Sequence, residues 1–159
     1  MFILGRDSEL SLLELVSYFK NKNIDYHLVV HHGDATVFSI PVLNFKKVIA
    51  ELGGIVKIGQ VIDLDDLYFD SNRLRYGLSV YGNKDSDAKE RIKEKFKEQH
   101  VRAFMKKPKK DDVLTPSDVI RHDLIDNGIE FLVFDDYVAR TIAVFDPSEH
   151  EERDVKRPD

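Results

Sequence analysis

The chain contains no cysteine among its 159 residues, which excludes disulfide frameworks and zinc sites built on Cys ligands. No apolar stretch approaches the ~18 residues that a membrane-spanning helix needs. The N-terminal sequence MFILGRDSEL has no basic segment followed by a long apolar one, so no secretory signal is indicated. The lack of cysteine fits a reducing compartment as well as a hot or acidic habitat. We expect a soluble, cytoplasmic protein with no membrane partner.

Motifs for catalysis are also missing. No Ser, His and Asp set stands in a nucleophile context, no strand leads into a glycine-rich turn suited to a nucleoside cofactor, and the Asn/Asp-Pro-Pro-aromatic tetrapeptide of amino-methyltransferases is absent. Gly53 and Gly54 follow a predicted helix and precede a predicted strand, the reverse of a phosphate-binding loop. The sequence therefore predicts no catalytic residue and no bound cofactor in this chain. We therefore expect this chain to have a binding role, for a ligand that these absences do not identify.

Clusters of acidic and histidine residues do not have the spacing of metal ligands. His31 and His32 are adjacent on a predicted strand, so their side chains point to opposite faces. His150 stands among glutamates and is predicted to lie on a charged surface. Four carboxylates lack the glycine and terminal glutamate of a calcium loop and are predicted to belong to a solvated linker: Asp63, Asp65, Asp66 and Asp70. We expect no metal site.

The first half of the chain predicts a βαββαβ unit. FIL is followed by a helix capped at Asp7 or Ser8 that runs to about Asn21, and YHLVV and ATVFSI form a hairpin around HHGD. Asn44 caps a second helix, and GIVKIGQVIDL returns as a strand. This order is the split arrangement in which two helices cover one face of an antiparallel sheet.

The second half has a similar pattern. The strand LRYGLSVYG precedes a helix for which Asp87 and Glu90 predict a capping box, and VRAFM is the next strand. Thr115 with Pro116 starts another helix, predicted to end at Asn127-Gly128. EFLVFDD and YVARTIAVF form a closing hairpin that turns at Asp135-Asp136. The fold class is therefore α+β, with two small α/β units in tandem.

Charge is distributed unevenly. The net charge is −5, which disfavours general nucleic-acid binding, yet ten Lys or Arg and only three Glu lie between Lys89 and Lys110. A local excess of one sign matters for the choice of partner. A solvated helix with a mobile loop explains the same pattern without any partner.

The basic segment before the Thr115 helix predicts an anion site. Cations collect on a strand end and loop, directly ahead of a helix N-terminus whose free N–H groups favour an anion. Such lysines suit phosphate, although an irregular lysine-rich loop is the alternative, and Asp111 and Asp112 dilute the charge. Phe104 either stacks on a base or belongs to the core. The candidate RNA-binding residues are Arg102, Lys106, Lys107, Lys109, Lys110, Thr115, Ser117, Arg121 and Arg140.

The order of these elements resembles a known family. A strand ending in basic residues, a variable loop, a Thr/Ser-opened helix and a β-hairpin resemble the THUMP domain of tRNA-modifying enzymes, and the first unit resembles the ferredoxin-like domain that precedes it. Together LGRDSELSLLEL, LGGIVKIGQVI, YGLSVYG and ARTIAVFDPSEHEERDVKRPD are similar to the N-terminal part of archaeal and eukaryotic tRNA guanosine-N2 methyltransferases. Ala139 replaces the glycine of the family's Gly-Arg-Thr, whereas Arg153-Asp154 and Arg157-Pro158 match its Arg-Asp-x-x-Arg-Pro segment.

The resemblance implies a ferredoxin-like domain over residues 1–64, a linker over 65–73, a THUMP domain over 74–146 and a linker over 147–159. It implies docking of the tRNA acceptor end with its 3′ CCA. It also implies a catalytic domain after Asp159 that uses S-adenosylmethionine to methylate guanosine N2. Two alternatives stay open: a stand-alone THUMP adaptor that presents tRNA to a partner enzyme in trans, and a protein-interaction or small-ligand regulatory ferredoxin-like domain.

Overall fold

The computed structural model describes residues 1–148, and this part of the chain is a mixed α+β structure with one eight-stranded sheet and four helices. The α+β class predicted from the sequence is confirmed. The strands are β1 Phe2–Leu4, β2 His27–His32, β3 Ala35–Ser39, β4 Ile55–Ile62, β5 Arg73–Tyr81, β6 Arg102–Lys106, β7 Gly128–Phe134 and β8 Tyr137–Val144. The helices are α1 Ser8–Asn21, α2 Phe45–Glu51, α3 Ala88–Glu98 and α4 Pro116–Arg121.

The strand order is β2-β3-β1-β4-β8-β7-β5-β6. The first half contributes four antiparallel strands in the predicted βαββαβ sequence of elements. In the second half β5 pairs in parallel with both β6 and β7, and β7 forms the predicted hairpin with β8. Strands β4 and β8 pair antiparallel and make the sheet continuous across the two halves. The sequence did not predict this pairing, and the division into two domains at residues 64–74 stays a prediction.

The two faces of the sheet carry different helices. Helices α1 and α2 pack on the face that carries Phe2 and Ile58, and α3 packs further along the same face, against Tyr76 and Phe131. We call this side the three-helix face. Leu114 and helix α4 lie on the opposite side, which we call the α4 face, because a Cβ added to Gly77 would lie 2.3 Å from Leu114 Cδ1.

Three helix starts follow the predicted capping chemistry and one does not. The side chains of Asp7, Asn44 and Thr115 accept backbone N–H groups of the first turn in α1, α2 and α4. The predicted capping box at Asp87 is wrong, because Asp87 makes no side-chain cap bond. Its ψ of 4° is outside the extended region in which an N-cap side chain reaches back. Ser86 Oγ instead accepts the N–H of Ala88 at 3.2 Å.

Helix α4 is shorter than predicted. It ends at Arg121 rather than at Asn127, because Asp123 adopts φ +53° and ends the helix as a left-handed residue beyond the C-cap. The N–H of Leu124 then bonds to the carbonyl of Val119 at 3.0 Å, and the two side chains pack together in a small buried cluster. Apolar packing thus ends the helix at Arg121, before it reaches Gly128, where the sequence predicted its end.

The predicted linker is only partly solvated. Its carboxylates are exposed, as expected, but Leu64 and Phe69 are buried in the core beneath α3. The side chain of Gln99 makes two hydrogen bonds to the backbone of this segment. It accepts from the N–H of Phe69 at 2.8 Å and donates to the carbonyl of Leu67 at 2.7 Å. The segment is therefore part of the second core.

Candidate nucleic-acid interface

A strip of basic side chains with one aromatic ring lies at the β5–β6 edge of the sheet. The parallel register sets Arg73 beside Arg102 and Arg75 beside Phe104, and Lys106 follows two residues later on β6. Alternate residues of a strand return to the same face, so all five side chains lie on the α4 face. We call these five residues the basic strip.

Between these side chains lies a groove of about 380 Å³. Its lining is basic and aromatic, with one aliphatic and one amide side chain: Arg73, Leu74, Arg75, Phe104, Lys106 and Asn127. The Arg73 guanidinium carbon lies 5.1 Å from the centre of the Phe104 ring, within the range of a cation–π contact. Phe104 is 40 % exposed, so its ring is accessible to solvent. A guanidinium beside an exposed ring is a combination that accepts a planar base together with a phosphate.

The cations of the basic strip are free of ion pairs with the acidic residues that the structure describes. Among residues 1–148 no ion pair involves Arg73, Arg75, Arg102 or Lys106. Burial lowers the pKa of His122, and the positive charges of Arg121, Lys106 and Arg75 lower it further, against an opposing effect of Asp118. The end of α4 therefore borders the same positive region. Unpaired cations at one edge favour an anionic ligand.

The lysines of the loop continue this positive region. Lys107, Lys109 and Lys110 are exposed and follow directly after β6. Asp112 lies in the same loop, but its carboxylate is 3.0 Å from Lys84 Nζ and its carbonyl accepts the N–H of Val80 at 2.9 Å. One of the two loop aspartates is thus engaged with the β5–α3 connection.

The start of α4, where the sequence predicts an anion site, already holds a carboxylate of the chain itself. Thr115 and Ser117 lie at the helix start, and Thr115 caps the N–H of Asp118 at 3.1 Å. The carboxylate of Asp118, which is almost buried, occupies the first turn and pairs with Arg121 at 2.8 Å. An acidic group in the first turn already satisfies the positive end of a helix dipole. This helix start is therefore less suited to a further anion than the sequence indicated, and Arg121 shares its charge with Asp118.

Arg140 lies apart from the other candidates. It pairs in register with Phe131, whose ring is in the core under α3, and with Gln60. Register partners share a face of the sheet, so Arg140 lies on the three-helix face while the basic strip lies on the α4 face. The structure brings Arg102 and Lys106 together with the loop lysines and Arg121, but not with Arg140.

Two residues of the basic strip were missed by sequence reasoning. Arg73 and Arg75 stand at the start of the strand that was recognised only for its apolar residues. The signal was present, because Arg-x-Arg in β5 and Arg-x-Phe-x-Lys in β6 have the same two-residue period. What the sequence could not provide is the parallel pairing that places the two patterns side by side.

A buried polar network lies behind the loop and was also missed. Lys57 Nζ is 2.6 Å from Glu130 Oε2 and donates to the carbonyl of Leu114 at 2.7 Å. Ser79 Oγ donates to Glu130 Oε2 at 2.7 Å, and Thr141 donates to Glu130 Oε1 at 2.7 Å. The side chains of Lys57 and Glu130 are completely buried. The sequence signal was a single charged residue in each of two largely apolar strands.

Burial and the neighbouring carboxylate have opposing effects on the pKa of Lys57. Loss of hydration lowers the pKa of Lys57, while the attraction and hydrogen bond of Glu130 raise it. The 2.6 Å contact and the two further partners of Lys57 fit an ammonium paired with a carboxylate.

The remaining sequence predictions concern absences. Within residues 1–148 no three His, Cys, Asp or Glu side chains are grouped to hold a metal ion. No helix in the described part of the chain is long and apolar enough to cross a membrane. The predictions for His150, Arg153-Asp154, Arg157-Pro158 and all but the first two residues of the 147–159 linker lie outside the described residues.

Comparison of the chain with protein-family models, curated proteins and solved structures gives no match. The functional proposal therefore rests on the geometry of the site and on the resemblance in sequence.

Proposed function

We propose that this chain is an RNA-binding module that docks the acceptor end of tRNA on the α4 face. The observation that supports it is the basic strip: four cations that have no ion-pair partner within residues 1–148 surround an exposed phenylalanine on one face of the sheet edge. Phosphate contacts supply most of the affinity for RNA, and stacking on an aromatic ring captures an unpaired base. The strip offers both within one groove.

An acidic chain can bind RNA in this way because its positive charge is local. The loop lysines extend the strip, and α3 carries its own cations on the three-helix face. Binding to roughly four to seven phosphates gives an affinity that falls steeply with salt, in proportion to the number of phosphates neutralised. We therefore expect moderate binding at low salt and weak binding at physiological salt.

The larger role follows from the resemblance in sequence. We propose that the module is the tRNA-binding portion of an S-adenosylmethionine-dependent guanosine-N2 methyltransferase, with the methyltransferase domain supplied in cis or by a partner enzyme in trans. The basic strip and the loop lysines would set the position of the tRNA, and the chemistry would take place on the other domain. No residue of this chain is assigned a catalytic role.

A titration with two RNAs tests the proposal. tRNA with and without its 3′ CCA is titrated into the chain at two salt concentrations. Tighter binding of the complete tRNA and a steep loss of affinity with salt are the expected results. Equal affinity for both RNAs would exclude recognition of the 3′ end, and no binding at low salt would exclude the RNA-binding role.

A quadruple variant tests the contribution of the loop. Lys106, Lys107, Lys109 and Lys110→Ala should weaken binding and reduce the salt slope by about 0.7–0.9 for each phosphate that the variant no longer neutralises. A matched quadruple variant on α3 is the control: Lys89, Lys93, Lys95 and Lys97→Ala removes equal charge from the three-helix face. Equal decreases in affinity for both variants would show that only overall charge matters.

A protein-interaction domain is the second candidate, and one observation favours it. Leu10 and Leu13 on α1 are 53 % and 65 % exposed, next to a shallow depression that Tyr18 and Leu52 also line. Exposed leucines on one helix face are typical of contacts with another protein. Binding of neither RNA in the titration would favour this second role.

A further inference from the structure

Leu114 is held at both of its backbone polar groups by side chains from the core. Lys57 Nζ donates to its carbonyl at 2.7 Å, and its N–H donates to Ser79 Oγ at 2.9 Å. Its side chain is buried against Gly77, at a point where even a Cβ would collide. Leu114 is therefore fixed by hydrogen bonds from β4 and β5 and by packing on β5.

Leu114 is also where the lysine loop ends, because Thr115 caps α4 at the next position. Lys106, at the end of β6, is where that loop begins. The loop is thus anchored at one end by an edge strand and at the other by this buried residue. The position of Leu114, together with the bonds of Asp112 to Val80 and Lys84, therefore constrains the loop that carries Lys107, Lys109 and Lys110.

The buried pair of Lys57 and Glu130 is not explained by a need to join the strands. Hydrogen bonding through β8 already connects β4 to β7. Replacing a buried ion pair with apolar side chains of similar volume is often neutral or stabilising, so such a pair is weak evidence for a stabilising role. The sheet itself reaches the loop through the backbone bond from the N–H of Val80 to the carbonyl of Asp112 at 2.9 Å, and the network adds two side-chain bonds at Leu114.

We propose that Lys57, Ser79 and Glu130 are positioning residues that hold Leu114 and so preorganise the basic loop for RNA. This inference rests on the proposed RNA-binding function. A loop fixed in advance loses less conformational freedom when it binds than one ordered by its ligand. The three residues touch no RNA in this account and act only through the loop.

Ser79→Ala tests the inference, and Thr141→Ala is its matched control. Each substitution removes one buried hydroxyl that donates at 2.7 Å to the Glu130 carboxylate, but only Ser79 also holds Leu114. We expect the larger decrease in melting temperature for Ser79→Ala, because it also leaves the N–H of Leu114 without its acceptor, so binding is measured at a temperature at which both variants are fully folded. Only Ser79→Ala should weaken tRNA binding, roughly five- to tenfold from the cost of ordering the loop, and accelerate hydrogen exchange at the Leu114 amide.

Two results would overturn the inference. One is equal tRNA affinity for Ser79→Ala and Thr141→Ala. The other needs no variant: a Leu114 amide that exchanges in the wild-type chain as fast as that of exposed Lys109. The quadruple loop variant separates this failure from that of the proposed function. If the quadruple variant binds tRNA as tightly as the wild type, the loop does not contact RNA. If the quadruple variant binds more weakly while Ser79→Ala and Thr141→Ala have equal tRNA affinity, only the positioning role is wrong.

Discussion

Lys57 in β4 and Glu130 in β7 form an ion pair of 2.6 Å with both side chains fully buried. One residue belongs to the first half of the chain and the other to the second, so the pair connects the two units that the sequence pattern predicts. Around it, β4 and β8 join the halves into one sheet. The interior that the sequence presents as two separate cores therefore contains a shared polar centre.

Removing one charge of this pair should be far more damaging than removing both. Lys57→Met leaves Glu130 buried without its counter-charge and should lower the free energy of unfolding by roughly 3–5 kcal/mol. The double variant Lys57→Met, Glu130→Leu should recover most of that decrease. Urea unfolding measures both, and Lys47→Met in the exposed pair with Glu51 is the control, with an expected change within about 0.5 kcal/mol. A double variant as unstable as the single one would contradict this account of the pair.

The two halves should unfold together. The β4–β8 pairing runs from Lys57 to Ile62 on one strand and from Val138 to Val144 on the other, so separating the halves would expose β4 and β8 as edge strands and break the buried pair of Lys57 and Glu130. NMR amide signals of Phe19 in α1 and Phe96 in α3 should disappear at the same urea concentration. Two well-separated midpoints would show that residues 1–64 and 74–146 are independent folding domains, as the resemblance implies.

The Met1 amine should make stability depend on pH. It is buried and donates to the carbonyl of Gly59 at 2.7 Å, and burial lowers its pKa from 8.0 to about 5. Between these values the unfolded chain binds the proton and the folded chain does not. The free energy of unfolding should therefore fall as the pH drops from 8 to 5, by roughly 1.4 kcal/mol per unit of pKa difference at most.

Acetylation of Met1 provides the control for this prediction, because it removes the titrating amine and leaves the histidines unchanged. A cavity of about 300 Å³ is lined in part by Met1 and Gly59. Urea unfolding at several pH values should show a flatter profile for the acetylated chain. Parallel profiles for the two chains would mean that the amine titrates normally.

Phe104 should contribute to binding rather than to folding. Because its ring is partly exposed and stacks on Arg73, Phe104→Ala should change the free energy of unfolding by less than about 1 kcal/mol. Removing the ring beneath a stacked base costs roughly 1–3 kcal/mol, so affinity for complete tRNA should fall about 5- to 150-fold. Phe104→Trp should keep most of the affinity. If alanine destabilises the fold strongly and binding follows stability, Phe104 is a core residue.

Local sequence patterns predicted most helices and strands, whereas features that depend on contacts between distant residues were not predictable from the sequence. Helix caps at Asp7, Asn44 and Thr115 were readable because each depends on a few neighbouring residues. The end of α4 was not, because it is decided by Leu124 packing on Val119.

For the site, the sequence found the cations of β6 and the loop, since they are adjacent along the chain. It missed Arg73 and Arg75, which join them only through the parallel β5–β6 pairing. It grouped Arg140 with them, although strand alternation places Arg140 on the opposite face. The face that a residue occupies depends on strand register, and the sequence of one strand does not determine its register with a distant strand.

Comparison of two single arginine variants tests the central claim most directly. Arg75 lies in the groove of the α4 face and Arg140 is exposed on the three-helix face, so Arg75→Ala and Arg140→Ala remove the same charge from opposite sides of one sheet. Affinity for complete tRNA is measured over a range of salt concentrations. We predict that Arg75→Ala weakens binding and lowers the salt slope by about 1, while Arg140→Ala binds as the wild type does. Weaker binding by Arg140→Ala together with unchanged binding by Arg75→Ala would place the RNA on the other face and contradict the proposed interface.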